Sequence, residues 1–146
     1  NIDLQHPTII AGAALQTKTR RDRAEKIAEK LAGMGFKNTL DAARARALGG
    51  QIGRPHFAEH LVAIGAVKSS QQAFKKYLGA GKIADIKACW EDIETVTGWI
   101  KAAGGTAVLA HPSKYGLTRA KLTALIGDFK DAGGSDGVIS GHKPRR

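Results

Sequence analysis

The sequence has one cysteine, few aromatic residues and no long apolar run. Cys89 stands alone, so the chain can form neither an internal disulfide nor a two-cysteine metal clip. No stretch approaches the roughly 20 apolar residues that cross a bilayer, and no basic region followed by an apolar run begins the chain. We therefore expect a cytoplasmic protein. Trp90 and Trp99 are expected to lie in the core or between helices.

The composition is that of a folded, strongly basic domain. Hydrophobic residues make up 42% of the sequence and charged residues 25%, which excludes a disordered chain. The 23 Lys and Arg residues against 13 Asp and Glu residues give a net charge of +10. Such a charge favours phosphate-bearing partners, although a solvated helix surface also explains it.

Residues 4–80 have the pattern of an all-helical block. Apolar residues at helical spacing predict a long helix over residues 8–34, whose middle carries a basic stripe of Lys18, Arg20, Arg21 and Arg23. Shorter helices are predicted over residues 40–48, 54–65 and 70–78. Asn38 and Thr39 can cap the helix over residues 40–48, and the helix over residues 70–78 begins after Ser69 and Ser70.

The pattern changes after residue 90. A helix is predicted over residues 91–103, and the short apolar run 106–110 is typical of a fully buried parallel strand. A helix over 117–132 and a strand over 137–140 complete a right-handed parallel crossover. The fold class is therefore α/β and predominantly helical. Two strands alone leave long unpaired edges, so we expect the chain to be part of a larger fold.

His111 is the first candidate functional residue. It follows the predicted strand 106–110, and Pro112 then turns the chain away. Ligands and metals are held at this end of parallel strands in open α/β sheets and βα barrels. A metal-ligand role fits this position, although a lone histidine is equally often structural.

A second candidate is the run Arg54-Pro55-His56 at a predicted helix start. Free backbone N–H groups and the helix dipole favour an anion there, and Arg54 and His56 add donors. The run thus predicts a phosphate clamp, with an ordinary helix start that carries an exposed Arg54 as the alternative. Lys82, Lys114 and Tyr115 follow turns and are weaker candidates for the same cleft.

Three further polar residues are expected to be incidental. His60 lies one turn after His56, but two histidines without a carboxylate make an incomplete metal set, so His60 is expected on the surface. His142 is treated in the same way. Asp136 could be a metal carboxylate, but its Gly-Ser-Asp-Gly setting is typical of a turn.

Together these segments resemble phosphoesterases of the PHP (polymerase and histidinol phosphatase) family over nearly the whole chain. The order and spacing of the blocks are most similar to the bacterial branch that removes the 3′-phosphate from nucleoside 3′,5′-bisphosphates and trims short RNA from its 5′ end. The matching blocks are residues 1–3, 16–24, 54–58, 73–78, 79–82 and 104–115.

The resemblance implies a distorted βα barrel of seven strands with a helical insertion that caps the site. Residues 1–90 would be the cap, and residues 91–146 a helix-strand-helix-strand piece of the barrel. Two or three divalent ions are implied, usually manganese, with iron or zinc as other choices. His111 matches a metal ligand, and Arg54 and His56 match substrate-phosphate contacts. A metal-bridging hydroxide would attack phosphorus.

The chain departs from the family pattern in ways that bear on activity. The family's early His-x-His motif and late Asp-x-His motif are missing, and residues 83–87 replace a proline-rich stretch. We therefore expect a fragment that is inactive alone, from an enzyme that hydrolyses nucleotide or short-RNA phosphates. Two alternatives stay open. The chain could be a non-catalytic basic module that binds nucleic acid, or it could belong to an enzyme for another ester such as histidinol phosphate.

Overall fold

The chain folds as two compact units, each described by itself. The computed structural model describes residues 2–87 and 89–135, and for residues 138 and 139 the backbone alone. Leu15–Trp90 form the helical unit, and Asn1–Ala14 with Glu91–Arg146 form the mixed unit. The assignment of residues 1–90 as a cap and 91–146 as a barrel piece stays a prediction. No described helix is long and apolar enough to cross a membrane.

In its described residues, the helical unit contains four helices and a π-helical turn. These are α1 (Pro7–Ala32), which begins before the unit, α2 (Thr39–Arg46), α3 (Arg54–Ala63), α4 (Ser70–Ala73) and the π-helix Phe74–Leu78. Its largest fully buried side chains are Phe57, Ile27, Leu31, Leu61 and Leu78. Ile27 and Leu31, like Phe57 and Leu61, are four residues apart and so share a helix face. Each such side chain contributes roughly 1.5–3 kcal/mol when buried.

The N-caps of α4 and α2 differ. Ser69 caps α4 by accepting a hydrogen bond from the backbone N–H of Gln72 at 3.2 Å. Asn38 stands at the N-cap of α2, but its side chain makes no capping bond. The reason is its left-handed backbone, with φ 57°, because side-chain capping needs an extended N-cap residue.

The predicted helix over residues 70–78 widens halfway along. Its second half is π-helical, and Gly79 N–H donates to the Phe74 carbonyl at 2.8 Å. A Cβ on Gly79 would lie 2.6 Å from that oxygen, so this close approach requires glycine. The wide turn also sets the Tyr77 ring edge-on to Phe36, with centroids 5.3 Å apart. Apolar periodicity does not distinguish a π-turn from a continuing α-helix.

The mixed unit contains the predicted strand-helix-strand pattern. Its elements are α5 (Ile93–Ala102), β1 (Leu109–Ala110), a 3₁₀ turn (Pro112–Tyr115), α6 (Arg119–Asp131) and β2 (Val138–Ile139). β1 and β2 are parallel, with Leu109 opposite Val138. The predominantly helical α/β character is thus confirmed, whereas a barrel stays a prediction.

The first strand is shorter and more exposed than predicted. Val108 is 43% exposed and Ala110 is also exposed, so the expectation of a fully buried strand over 106–110 is wrong. Within the described residues β1 has one neighbouring strand, which pairs with two of its residues and leaves one edge and part of its faces uncovered. Gly137 and Ser140, at the ends of the second predicted strand, lie outside the described residues.

Close packing holds α5 against the start of α1 within the mixed unit. A Cβ added to Gly12 would lie 2.8 Å from Cδ2 of the Trp99 indole, inside van der Waals contact. The indole of Trp99 is half-buried, as expected of a helix-packing residue. Asp3 N–H donates to the Ala103 carbonyl at 2.9 Å and ties down the preceding segment.

Candidate functional site

His111 lies directly after β1, at its carboxyl end. Its backbone is left-handed, with φ 51° and ψ 42°, and its side chain is exposed. Such a conformation is uncommon for a residue with a Cβ and often marks a site where the surrounding structure imposes it. The buried Pro112 follows and begins the 3₁₀ turn. The turn therefore presents the imidazole at the strand end that the sequence predicted.

Two hydrogen bonds fix the turn around His111. Lys114 N–H donates to the His111 carbonyl at 2.9 Å, and the Tyr115 hydroxyl donates to the Ala110 carbonyl at 2.7 Å. Both side chains are exposed. The structure thus brings His111, Lys114 and Tyr115 together in one short turn, and it assigns Tyr115 a structural contact that the sequence did not indicate.

The described residues do not by themselves form a metal site. No three His, Cys, Asp or Glu side chains among them lie close enough to hold an ion. One imidazole is too few ligands, because zinc or manganese sites need three or more protein donors. Asp136 and His142 lie outside the described residues, so the prediction for each stays a prediction.

Arg54 begins α3 and holds two other segments of the helical unit. One of its guanidinium nitrogens, Nη1, donates to the Leu78 carbonyl at 3.1 Å and lies 4.0 Å from Oδ1 of Asp85. The guanidinium carbon lies 5.8 Å from the Phe74 ring centroid. Arg54 therefore satisfies the last carbonyl of the π-helix, and it is not the simple exposed arginine of the alternative interpretation.

His56 closes the first turn of α3 from within. Its Nδ1 accepts a hydrogen bond from Gly53 N–H at 3.0 Å, which is the reciprocal half of a capping box. Pro55 suits this turn because it has no N–H to leave unpaired. The cap orients the imidazole and engages one of its two nitrogens.

Lys82 lies in a turn that Asp85 connects to Arg54, because the Asp85 carboxylate contacts both. The other carboxylate oxygen of Asp85 accepts a hydrogen bond from Gly81 N–H at 2.7 Å, and Gly81 has φ 72°. Lys82 itself is exposed. The helical unit thus brings together Arg54, His56 and the Lys82 turn, whereas His111, Lys114 and Tyr115 belong to the mixed unit.

His60 is not the surface residue that was expected. Its Nε2 is buried and has no hydrogen-bond partner among the described residues. Burial lowers the pKa of His60, and the neighbouring Arg46 lowers it further, because both disfavour the imidazolium. A neutral, packed imidazole is therefore the stable form near neutral pH.

The position of Trp90 beside the basic stripe was not anticipated from the sequence. The indole is 46% exposed, and the guanidinium groups of Arg20 and Arg23 lie 5.0 and 5.6 Å from its ring centroid. Arg23 also donates from Nε to the Ile86 carbonyl at 3.4 Å. Trp90 is about 70 residues from the basic stripe along the sequence, so no local pattern could have joined them.

Comparison with known proteins identifies several similar enzymes. A 5′-3′ exoribonuclease of Haemophilus influenzae is 46% identical over 138 residues, covering 94% of this chain and 50% of the relative. A 3′,5′-nucleoside bisphosphate phosphatase of Chromobacterium violaceum is 39% identical over 134 residues, covering 91% and 47%. The chain therefore spans about half the length of the curated relatives it matches.

Two solved structures are also similar to this chain. An amidohydrolase from Chromobacterium violaceum superposes with a TM-score of 0.81 at 38% identity, covering 94% of this chain and 48% of that one. A protein from Bifidobacterium adolescentis, described as a metal-dependent phosphoesterase, has a TM-score of 0.73 at 28% identity, covering 94% and 49%. No protein-family profile matches the chain. The resemblance to PHP-type phosphoesterases is therefore confirmed, over a stretch that corresponds to about half of these relatives.

Proposed function

We propose that the protein containing this chain hydrolyses phosphate esters of nucleotides, with nucleoside 3′,5′-bisphosphates or short RNA as substrates. The observation that carries the proposal is the similarity across more than nine-tenths of the chain to an exoribonuclease and a bisphosphate phosphatase. The net charge of +10 supports it, because a basic surface attracts polyanionic substrates. The chain's two parts would serve as a helical cap, residues 1–90, and a piece of a βα barrel, residues 91–146.

Arg54 and His56 are proposed to bind a substrate phosphate. They lie in the first turn of α3, where the helix dipole favours an anion. The cap from Gly53 orients His56, and the contacts with Leu78 and Asp85 hold Arg54, so both donors are pre-positioned. Lys82 would add a mobile charge from its neighbouring turn.

His111 is proposed to supply one ligand of a divalent-metal site, with manganese as the first candidate and iron or zinc next. Its exposed position after β1 supports this role. Metal dependence is also part of the description of the Bifidobacterium adolescentis neighbour. Because the described residues do not complete such a site, the other ligands would come from elsewhere in the full-length protein. Lys114 and Tyr115 would contact substrate beside His111.

Phosphate release from adenosine 3′,5′-bisphosphate tests this proposal. The full-length gene product is freed of metal with a chelator, and release is measured before and after Mn²⁺ is restored. We expect release only with a divalent ion, and faster release from the bisphosphate than from adenosine 5′-monophosphate or histidinol phosphate. Equal rates on all three esters would refute the nucleotide assignment, and unchanged release with excess chelator would refute the metal role.

A further inference from the structure

A basic pocket in the helical unit contains residues that the proposed phosphate clamp does not use. It has a volume of about 210 Å³, and its walls include Arg20 and Arg21 of α1 and the glycine loop, residues 49–52. A smaller adjoining pocket shares Arg20 and Ile52 and reaches Trp90. We refer to the pair as the arginine pocket.

The arginines of this pocket are available to an anion. Arg20 and Arg21 are exposed, and within the described part of the chain no carboxylate lies within 4 Å of either. Other basic side chains nearby are engaged. Lys18 pairs with Asp22 at 2.7 Å, and Arg44 pairs with Asp41 at 3.1 Å. The positive charge of the pocket is thus not neutralised from within.

The glycine loop lines the same pocket and adds backbone donors. Gly50 N–H donates to the Ala47 carbonyl at 2.7 Å, but Gly49, Gln51 and Ile52 donate no backbone hydrogen bond to any described residue. The loop turns through two left-handed residues, Leu48 at φ 48° and Gly49 at φ 82°. Unpaired backbone N–H groups and guanidinium groups that line one pocket are the kinds of donor that bind phosphate oxygens.

Trp90 adds a stacking surface beside these donors. Its indole is 46% exposed, and Arg20 lies 5.0 Å from its centroid. Exposed indoles and guanidinium planes are the groups on which proteins stack unpaired bases. A phosphate site next to a stacking site has the chemistry of a single-stranded nucleic acid, in which phosphates and bases alternate.

We propose that the arginine pocket binds a segment of single-stranded RNA, with a backbone phosphate held by Arg20, Arg21 and the glycine loop and a base stacked on Trp90. The inference rests on the proposed function for its choice of RNA. It adds a contact site separate from Arg54 and His56, which would make the protein prefer an oligonucleotide to a single nucleotide.

Fluorescence anisotropy of a 3′-labelled RNA of about eight nucleotides tests the site. The chain is titrated in chelator, so that binding is measured without hydrolysis. We expect the double variant Arg20→Gln/Arg21→Gln to bind roughly tenfold more weakly and to lose roughly one to two units of salt slope. The matched control, Lys26→Gln/Lys30→Gln, removes the same charge from exposed positions of α1 outside the pocket and is expected to change affinity less than twofold.

Trp90 variants separate stacking from charge. Trp90→Leu is expected to weaken binding roughly tenfold, whereas Trp90→Phe retains an aromatic face and most of the affinity. Far-UV circular dichroism verifies that each variant is folded. If Trp90→Leu is unfolded, the arginine double variant and its lysine control decide whether the pocket binds RNA.

Three results would overturn the inference. The first is that the wild-type chain fails to bind the RNA at low salt, and the second is that the Lys26→Gln/Lys30→Gln control weakens binding as much as the arginine double variant does. The third is that adenosine 3′,5′-bisphosphate competes for the labelled RNA's site as well as unlabelled RNA does. In the full-length gene product, Arg20→Gln/Arg21→Gln should leave bisphosphate hydrolysis unchanged. If the wild-type full-length protein does not hydrolyse the bisphosphate, the proposed function is contradicted, but the RNA-binding result is unaffected.

Discussion

The Tyr115 hydroxyl donates a 2.7 Å hydrogen bond to the carbonyl of Ala110, the residue that immediately precedes His111. This bond closes the turn that presents the imidazole. Tyr115→Phe should lower the free energy of unfolding by about 0.5–1 kcal/mol, since the bond is solvent-exposed and its net contribution is small. Urea unfolding measures the loss. An unchanged midpoint, compared with the neighbouring Ser113→Ala as control, would show that the bond does not hold the turn.

The cap on α3 is predicted to depend on an acceptor at position 56. His56→Ala leaves Gly53 N–H without its 3.0 Å acceptor and should cost about 1 kcal/mol in stability. His56→Gln retains an acceptor, as glutamine does in ordinary capping boxes, and should recover most of that loss. Chemical denaturation of both variants measures the difference. Equal destabilisation by alanine and glutamine would contradict the capping role.

Gly12 is predicted to be intolerant of any side chain. An added methyl group would overlap the Trp99 ring, so Gly12→Ala should destabilise the protein by roughly 1–3 kcal/mol. The matched control is Gly127→Ala in α6, where an added Cβ meets nothing within 4 Å. That substitution should stabilise the protein by about 0.5–1 kcal/mol, because alanine is the better helix former. Thermal unfolding of the two variants should therefore shift in opposite directions.

His60 is predicted to make stability fall as the solution becomes acidic. Its pKa in the folded protein lies below the ordinary value of 6.5, so the unfolded chain takes up a proton first. The contribution is fully present above pH 6.5 and is lost as the pH falls through 6.5 toward the lower folded pKa.

Two substitutions separate the charge of His60 from its unpaired nitrogen. His60→Leu and His60→Gln both remove the titration, so both should flatten the stability profile below pH 6.5. At pH 7 the leucine variant should be at least as stable as the wild type, because it removes a buried polar atom that has no partner among the described residues. A wild-type profile that is already flat would show that His60 does not titrate as inferred.

The helices could be predicted from the sequence because helix formation depends mainly on residues that are close together along the chain. The apolar spacing that includes Ile27 and Leu31 depends on residues within one or two helical turns. The π-turn at Phe74 was missed because its apolar pattern is also that of an α-helix. β1 was predicted too long because the length of a strand depends on its neighbours, which lie far away in sequence.

Some residues of the candidate site could be predicted and others could not, because only some of them have a signal in the neighbouring sequence. His111 could be singled out because its strand and Pro112 adjoin it, and Arg54 because Pro55 signals a helix start. The contacts of Arg54 with Leu78 and Asp85 were not predictable, since they join segments 24 and 31 residues away along the chain. Trp90 was assigned to the core or to a helix interface, and only its position beside Arg20 in the fold shows that its indole is 46% exposed.

The most direct measurement of the central claim is kcat/KM for adenosine 3′,5′-bisphosphate in the full-length gene product carrying His111→Ala, with Ser113→Ala as the control. Both positions lie at the same turn, but the described contacts give Ser113 no role in the site. We predict a loss of at least about a hundredfold for His111→Ala, the scale of losing a metal ligand or its support, and wild-type activity for Ser113→Ala. Full activity of His111→Ala with Mn²⁺ would contradict the assignment of His111 to a metal-dependent phosphoesterase site.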